Sequence, residues 1–266
     1  MNEKSIKIDA FGLTDVGLVR EHNEDSIDWD TERGMFILAD GMGGHNAGEV
    51  ASALAIESIK HALYDVLTPE IISSEIVDYN DAMYEAITYA NTEIFEQALE
   101  NTEYAGMGTT LVMSLIQNDK ALIANVGDSR MYVNNAGKIT QLTTDHSLVQ
   151  EMVDNGYLSE EEAYSAVSRN LITRALGISE EVDIDLIEHE IQPGDVFLLC
   201  SDGLSDLVPD EEISAILNKH AGSLNEAATE LVATANARGG KDNISVILMT
   251  MRVAFCDDSG YEGSIA

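Results

Sequence analysis

Three apolar runs follow one another between residues 109 and 135: TTLVMSLIQ (109–117), ALIANVG (121–127) and RMYVNN (130–135). Only Asn118-Asp119 and Gly127-Asp128 part them, and short apolar runs joined by such turn residues read as antiparallel strands. An antiparallel meander is therefore expected here. Short apolar runs bounded by Gly or charge occur also at 6–13 (IKIDAFGL) and 35–40 (MFILAD), and further strands are expected at 184–190, 195–200 and 244–251. Residues 47–67 instead place Val50, Leu54, Ile56, Ile59, Leu63 and Val66 near a 3.6-residue period, which predicts a helix. Helices are also expected at 81–99, near 210–218 and at 224–237, while 147–182 is polar and weakly helical. Strands outnumber strict β-α-β alternations, so antiparallel sheets flanked by helices are favoured over a doubly wound parallel sheet.

At 266 residues the chain can bury a sizeable core, and no Pro-rich or Ser/Gly-rich linker and no internal repeat divides it. One domain over 1–253 is expected, followed by an acidic, disordered tail at 254–266 that includes CDDSGYEGSIA from Cys256. The N-terminus lacks the apolar core of a signal peptide, and no segment has the roughly 20 apolar residues of a membrane span. Two cysteines without metal-ligand spacing fit a reducing compartment. A cytoplasmic monomer is expected.

Charge excludes whole classes of partner. Against 48 Asp and Glu stand 14 Lys and Arg, a formal charge of -34, which opposes nucleic acid and anionic membrane. No Lys or Arg occurs between Lys60 and Lys120. That acidic stretch reads as a solvated face or salt adaptation, or as a surface for basic partner segments.

Several aspartates share one local pattern. Asp40 ends MFILAD and precedes Gly41; Asp128 follows ANVG; Asp202 ends VFLLCSD and precedes Gly203; Asp242 stands in GGKDNISVI just before a strand. Strands that deliver carboxylates to their ends gather like charges at a buried edge, where a cation is needed to neutralise them. Asp and backbone carbonyl are hard oxygen ligands suited to Mg²⁺ or Mn²⁺, and no two of the six histidines have the spacing of a helical metal site. Asp40 thus reads as a metal ligand, with the Gly41 carbonyl free to coordinate. In VREHNEDSI (19–27), Arg20 offers a planar guanidinium for a phosphate dianion, beside Glu24 and Asp25.

These pieces occur in an order that resembles the metal-dependent protein serine/threonine phosphatases of type 2C, most like their compact bacterial members. The matching segments are RxxNED (20–25), ADGMGG (39–44), GTT (108–110), NVGDSR (125–130), TTDHS (143–147), ITRALG (172–177), GDVFLLCSDGL (194–204) and DNISV (242–246). The resemblance implies a four-layer α-β-β-α sandwich, two antiparallel sheets with a helix pair outside each and a metal cleft at one end. It also implies that Asp40 bridges two ions, Mn²⁺ or Mg²⁺, with the Gly41 carbonyl on one and Asp202 and Asp242 on the other. Glu24 and Asp25 would act through metal-bound water, Arg20 would hold the phosphate, and Asp128 with Asp202 would bind a third ion. Residues 148–171 would form a flap beside the site.

The implied chemistry is hydrolysis of phosphoserine and phosphothreonine by a metal-bridging hydroxide, with electrostatic stabilisation of a loose transition state. Phosphorylated proteins, a cognate serine/threonine kinase and its targets are the implied partners in bacterial signalling. One departure concerns the leaving-group proton: where animal members carry a histidine, this chain has Met42, and a thioether cannot protonate an alkoxide. His45 and a metal-bound water are the candidate donors. Of the other classes, a non-catalytic cation-binding module would not need the full carboxylate set. A calcium-hand reading of DWDTERG fails at Arg33 and Ala39. Neither GxxxxGK nor GxSxG occurs.

Overall fold

A computed structural model describes residues 4–43, 47–68, 77–159, 162 and 171–255. The strands are β1 (Lys4–Asp15), β2 (Asp25–Asp30), β3 (Met35–Met42), β4 (Gly108–Thr109), β5 (Leu111–Gln117), β6 (Lys120–Val126), β7 (Arg130–Asn135), β8 (Lys138–Gln141), β9 (Asp185–Glu190), β10 (Val196–Cys200) and β11 (Ile244–Phe255). The helices are α1 (Ala47–Tyr64), α2 (Tyr79–Glu100), α3 (Leu148–Asp154), α4 (Asp202–Ser205), α5 (Asp210–Lys219) and α6 (Leu224–Ala237). The strands form two sheets, in the orders β1-β11-β10-β7-β8 and β2-β3-β5-β6-β9, with β4 attached to β3, and every pairing is antiparallel.

Strand alternation separates the layers. On β3, Phe36 and Leu38 face the opposite sheet and pack with Val112, Ile123, Met131, Phe197, Leu199 and Ile247. Their neighbours Met35, Ile37 and Ala39 point the other way, onto α1 and α2. On the far sheet, Leu198, Cys200, Val246 and Leu248 turn outward onto α5 and α6. Period-2 burial on both sheets therefore builds the expected α-β-β-α sandwich.

The helix starts have identifiable causes. Asp78 caps α2 by accepting from the Asn80 and Asp81 amides, Ser147 caps α3 through the Gln150 amide, and Ser223 caps α6 through that of Glu226. On α1 the seam against β3 is made of small residues, Ala51, Ser52, Ala55 and Ser58, with Ile56, Ile59 and Leu63. Val50 and Leu54 only flank it. Small side chains bring the helix close to the strand end that carries Asp40.

Two expectations need correction. The three runs at 109–135 are not one meander: β5 and β6 form a hairpin in one sheet, but β7 leaves for the other, pairing with β10 and β8. The switch occurs at Gly127-Asp128, where Gly127 has φ of 109° and a Cβ would meet the Thr110 side chain at 2.7 Å. An L-residue would be strained and crowded there. Second, Ala254 and Phe255, expected to open the tail, are strand residues of β11 paired with Ser5 and Lys4 of β1. Residues 256–266 and His45 lie outside the described residues.

Candidate metal and phosphate site

The cleft opens where the ends of β3, β6 and β10 meet the starts of β2 and β11. Asp25 and Asp40 are direct partners across the β2–β3 register. Like charges placed opposite one another repel, so a proton or a cation is needed to let both carboxyl groups stay buried there. Burial, with a lesser push from the charge of Asp242, raises Asp25 to about 6 even though the Ser201 hydroxyl donates to its Oδ2 at 2.8 Å. Burial followed by the charges of Asp25, Asp202, Asp128 and Asp242 holds Asp40 well above the usual carboxylate range.

Asp202 begins α4 immediately after β10. Its carboxyl is raised well above the ordinary value by burial, then by Asp128 and Asp242. Asp128, on the sheet-switching turn, is raised to about 7 by burial and by Asp145, with Arg130 opposing. Oδ1 of Asp25 and Oδ1 of Asp202 are buried with no hydrogen-bond partner. Unpaired buried carboxylate oxygens in a cluster of five aspartates are a poor end state for a protein and a good donor set for a hard divalent cation. Among the described residues no three such side chains close on a single ion-sized point. The carboxylates are nonetheless near enough to raise one another's pKa.

Backbone packing holds the carboxylates in place. The Gly41 amide donates to the Glu24 carbonyl at 3.1 Å, and a Cβ on Gly41 would lie 2.1 Å from the Gly48 carbonyl oxygen. The lack of a side chain at Gly41 thus lets α1 seat against the end of β3. Gly203 does the same on the other side, where a Cβ would lie 1.9 Å from the Asn243 oxygen. Thr110 donates its amide to the Asp40 carbonyl at 2.9 Å and accepts from the Asp40 amide at 3.2 Å.

Arg20 stands at the mouth, its side chain 46% exposed, with Nη2 donating to Asp242 Oδ2 at 2.6 Å and Nη1 3.8 Å from Glu24 Oε2. Glu24 is raised by burial, against the pull of Arg20. The structure therefore brings together Arg20, Glu24, Asp25, Asp40, Gly41, Asp128, Asp202 and Asp242, and says nothing of His45.

Two residues of the site were not found by sequence reasoning. Asn243 clamps the loop bearing Arg20: its Nδ2 donates to the carbonyls of Val16 at 2.9 Å and His22 at 3.0 Å, and its Oδ1 accepts from the Glu24 amide at 2.8 Å. It lies in DNISV, where only the aspartate drew notice. Asp206, one helical turn after Asp202, adds its charge to both Asp202 and Asp128. The i, i+4 spacing of the two was the available signal.

Comparison with known proteins agrees with this arrangement. The protein phosphatase 2C pattern matches residues 19–248. A serine/threonine phosphatase, stp, of Listeria innocua is 39% identical over 239 residues, covering 89% of this chain and 93% of that protein. The crystal structure of the Mycobacterium tuberculosis serine/threonine phosphatase PstP/Ppp superposes with a TM-score of 0.82 at 38% identity, covering 91% of this chain and 98% of that one. The structure of the PstP catalytic domain in complex with two manganese ions gives a TM-score of 0.81 at 37% identity, over 93% and 99% of the two chains. The double antiparallel sandwich is thus shared with proteins that this chain resembles in sequence. The chain belongs to the protein phosphatase 2C family.

Proposed function

We propose that this protein is a metal-dependent phosphatase that hydrolyses phosphoserine and phosphothreonine in proteins, within one catalytic domain spanning 1–253. The observation that carries the reading is the Asp25–Asp40 pair, two buried carboxylates opposed across β2–β3 and joined by Asp128, Asp202 and Asp242 beside Arg20. Named relatives are serine/threonine phosphatases, and a structural relative holds two manganese ions.

Asp40, the Gly41 carbonyl, Asp202 and Asp242 would hold two Mn²⁺ or Mg²⁺ ions, Glu24 and Asp25 would reach them through water, and Asp128 with Asp202 would hold a third. Such ions supply an activated water near neutral pH and neutralise phosphate charge. The chain's own residues do the rest. Arg20 binds and orients the phosphate oxygens and stabilises the charge that develops on them. Its bond to Asp242 holds the guanidinium at the mouth of the cleft before substrate arrives. Asn243 fixes the loop on which Arg20 stands. Asp128, through the third ion, would serve protonation of a serine or threonine leaving oxygen, a role Met42 cannot fill.

Phosphorylated proteins are the substrates, a cognate serine/threonine kinase and its targets among them. We place it as a cytoplasmic monomer; among the described residues no helix is long and apolar enough to cross a membrane. A phosphothreonine peptide and p-nitrophenyl phosphate, assayed with Mn²⁺ and then with excess chelator, test the reading. Hydrolysis that appears with metal and vanishes with chelator is expected. Activity unchanged by chelator would refute metal dependence, and binding of Mn²⁺ without hydrolysis would leave a cation-binding module.

A further inference from the structure

His146, in the TTDHS segment, is used by none of the chemistry above, yet it is buried where three parts of the fold meet. Its Nδ1 accepts from the Gly127 amide at 3.0 Å, and its own amide donates back to the Gly127 carbonyl at 2.9 Å. Gly127 is the positive-φ residue of the turn that delivers Asp128. The other ring nitrogen, Nε2, lies 3.2 Å from Asp185 Oδ2, and Arg174 Nη1 donates to Asp185 Oδ1 at 2.8 Å. The His146 carbonyl accepts from the Thr173 amide at 2.8 Å. The next residue, Ser147, bridges to Ile172 and caps α3, so His146 sits at the base from which the 148–171 segment departs and returns.

The hydrogen bonds fix the ring's state. An acceptor at Nδ1 requires the lone pair there, so the proton is on Nε2, which lies 3.2 Å from both Asp185 Oδ2 and Arg174 Nη1. Burial keeps the ring neutral by lowering its pKa, against the bond to Asp185 that raises it, with Arg174 also lowering it. A neutral histidine of that tautomer has one acceptor and one donor, pointed at the Asp128 turn and at the β9 edge.

We infer that His146 is a positioning residue for Asp128: it fixes the Gly127-Asp128 turn through the Gly127 amide and locks that turn in register with the base of the 148–171 segment through Asp185 and Arg174. The inference rests on the reading of Asp128 as the residue serving the leaving group. The turn is held from two sides: His146 ties Gly127 to the Ser147–Ile172 bridge, and the Thr110 hydroxyl, 2.8 Å from that of Ser129, ties its far end to the Asp40 strand.

Two isosteres separate the links. Asparagine places its Oδ1 near the position of Nδ1 and keeps an acceptor for Gly127; glutamine reaches toward Asp185 and loses that acceptor. In the Mg²⁺-loaded protein, exchange of the Gly127 amide, followed by NMR, is expected to stay slow in His146→Asn and to rise by about tenfold or more in His146→Gln, as loss of one buried hydrogen bond requires. With the phosphothreonine peptide, kcat of His146→Gln is expected to fall by about tenfold with KM nearly unchanged, and p-nitrophenyl phosphate turnover to fall much less, since nitrophenolate leaves without a proton. His146→Asn should retain most peptide turnover. Equal losses in the two variants, or unchanged Gly127 exchange in His146→Gln, would overturn the inference. Asp128→Asn is the control: losing both substrates equally, it would overturn the leaving-group reading alone, and the Gly127 exchange rates would still decide whether His146 sets the turn.

Discussion

Removing the metal should turn the carboxylate cluster into a pH-dependent liability whose size follows from the structure. In the metal-free protein Asp25 is raised from 3.8 to about 6 and Asp128 from 3.8 to about 7, both chiefly by burial. A carboxyl with a raised pKa binds more protons folded than unfolded, so stability falls as pH climbs from about 4 through the folded values. At about 1.4 kcal/mol per pH unit, Asp128 accounts for about 4 kcal/mol and Asp25 for about 3. Because both belong to one cluster, protonating either relieves the other, and a joint loss of about 4 kcal/mol between pH 5 and pH 8 is the reasonable expectation. In a chain of this size that corresponds to a Tm lower by roughly 8–16 °C at pH 8 than at pH 5. Thermal scans in excess chelator measure it directly, and saturating Mn²⁺ should abolish most of the difference. Surface repulsion in so acidic a protein acts in the same direction, so Asp128→Asn supplies the control: it leaves the surface intact, removes one buried charge, and should cut the pH dependence by about half. A chelated protein that melts no lower at pH 8 than at pH 5, or an Asp128→Asn slope equal to the parent's, would refute the argument.

Arg20→Ala removes a charge-assisted contact worth on the order of 1.5–3 kcal/mol, so kcat/KM should fall by roughly 10- to 100-fold while Mn²⁺ affinity, measured by titration calorimetry, holds or rises as Asp242 is freed. Asn243→Ala deletes three hydrogen bonds to the Arg20 loop and should cost about 2–4 kcal/mol in denaturant unfolding, with a further loss of phosphate binding; normal stability would reduce the clamp to a passive contact. Gly203→Ala forces a Cβ against the Asn243 carbonyl, and the resulting backbone shift should cost about 1–3 kcal/mol and weaken Mn²⁺ binding through Asp202, whereas Gly156→Ala, with open space around it, should leave Mn²⁺ affinity unchanged. Exchanging residues 148–171 for those of a relative should alter preference among phosphopeptides more than turnover of p-nitrophenyl phosphate, which steady-state kinetics on both will show.

What the sequence determined by itself was local. Alternation in MFILAD decided which residues of β3 face the other sheet and which face α1, because the pleat has a period of two whatever the strand's neighbours are. The same runs, ending in aspartate beside glycine, marked Asp40, Asp128, Asp202 and Asp242, and the ordered motifs marked the family. The tertiary structure decided the pairings. Nothing in RMYVNN states that β7 leaves the β5–β6 sheet, since a Gly-Asp turn permits a return to either one and the choice depends on which sheet has an apolar face to cover. Residues 25–30, to which the sequence assigned no strand, become β2 by pairing with β3, and that pairing sets Asp25 opposite Asp40. The hydrogen bonds of Asn243 and His146 span 219 and 19 residues, respectively, to Glu24 and Gly127. Periodicity and turn chemistry report the conformation of a segment, whereas the partner of a buried polar group is fixed by the global packing that brings distant segments together.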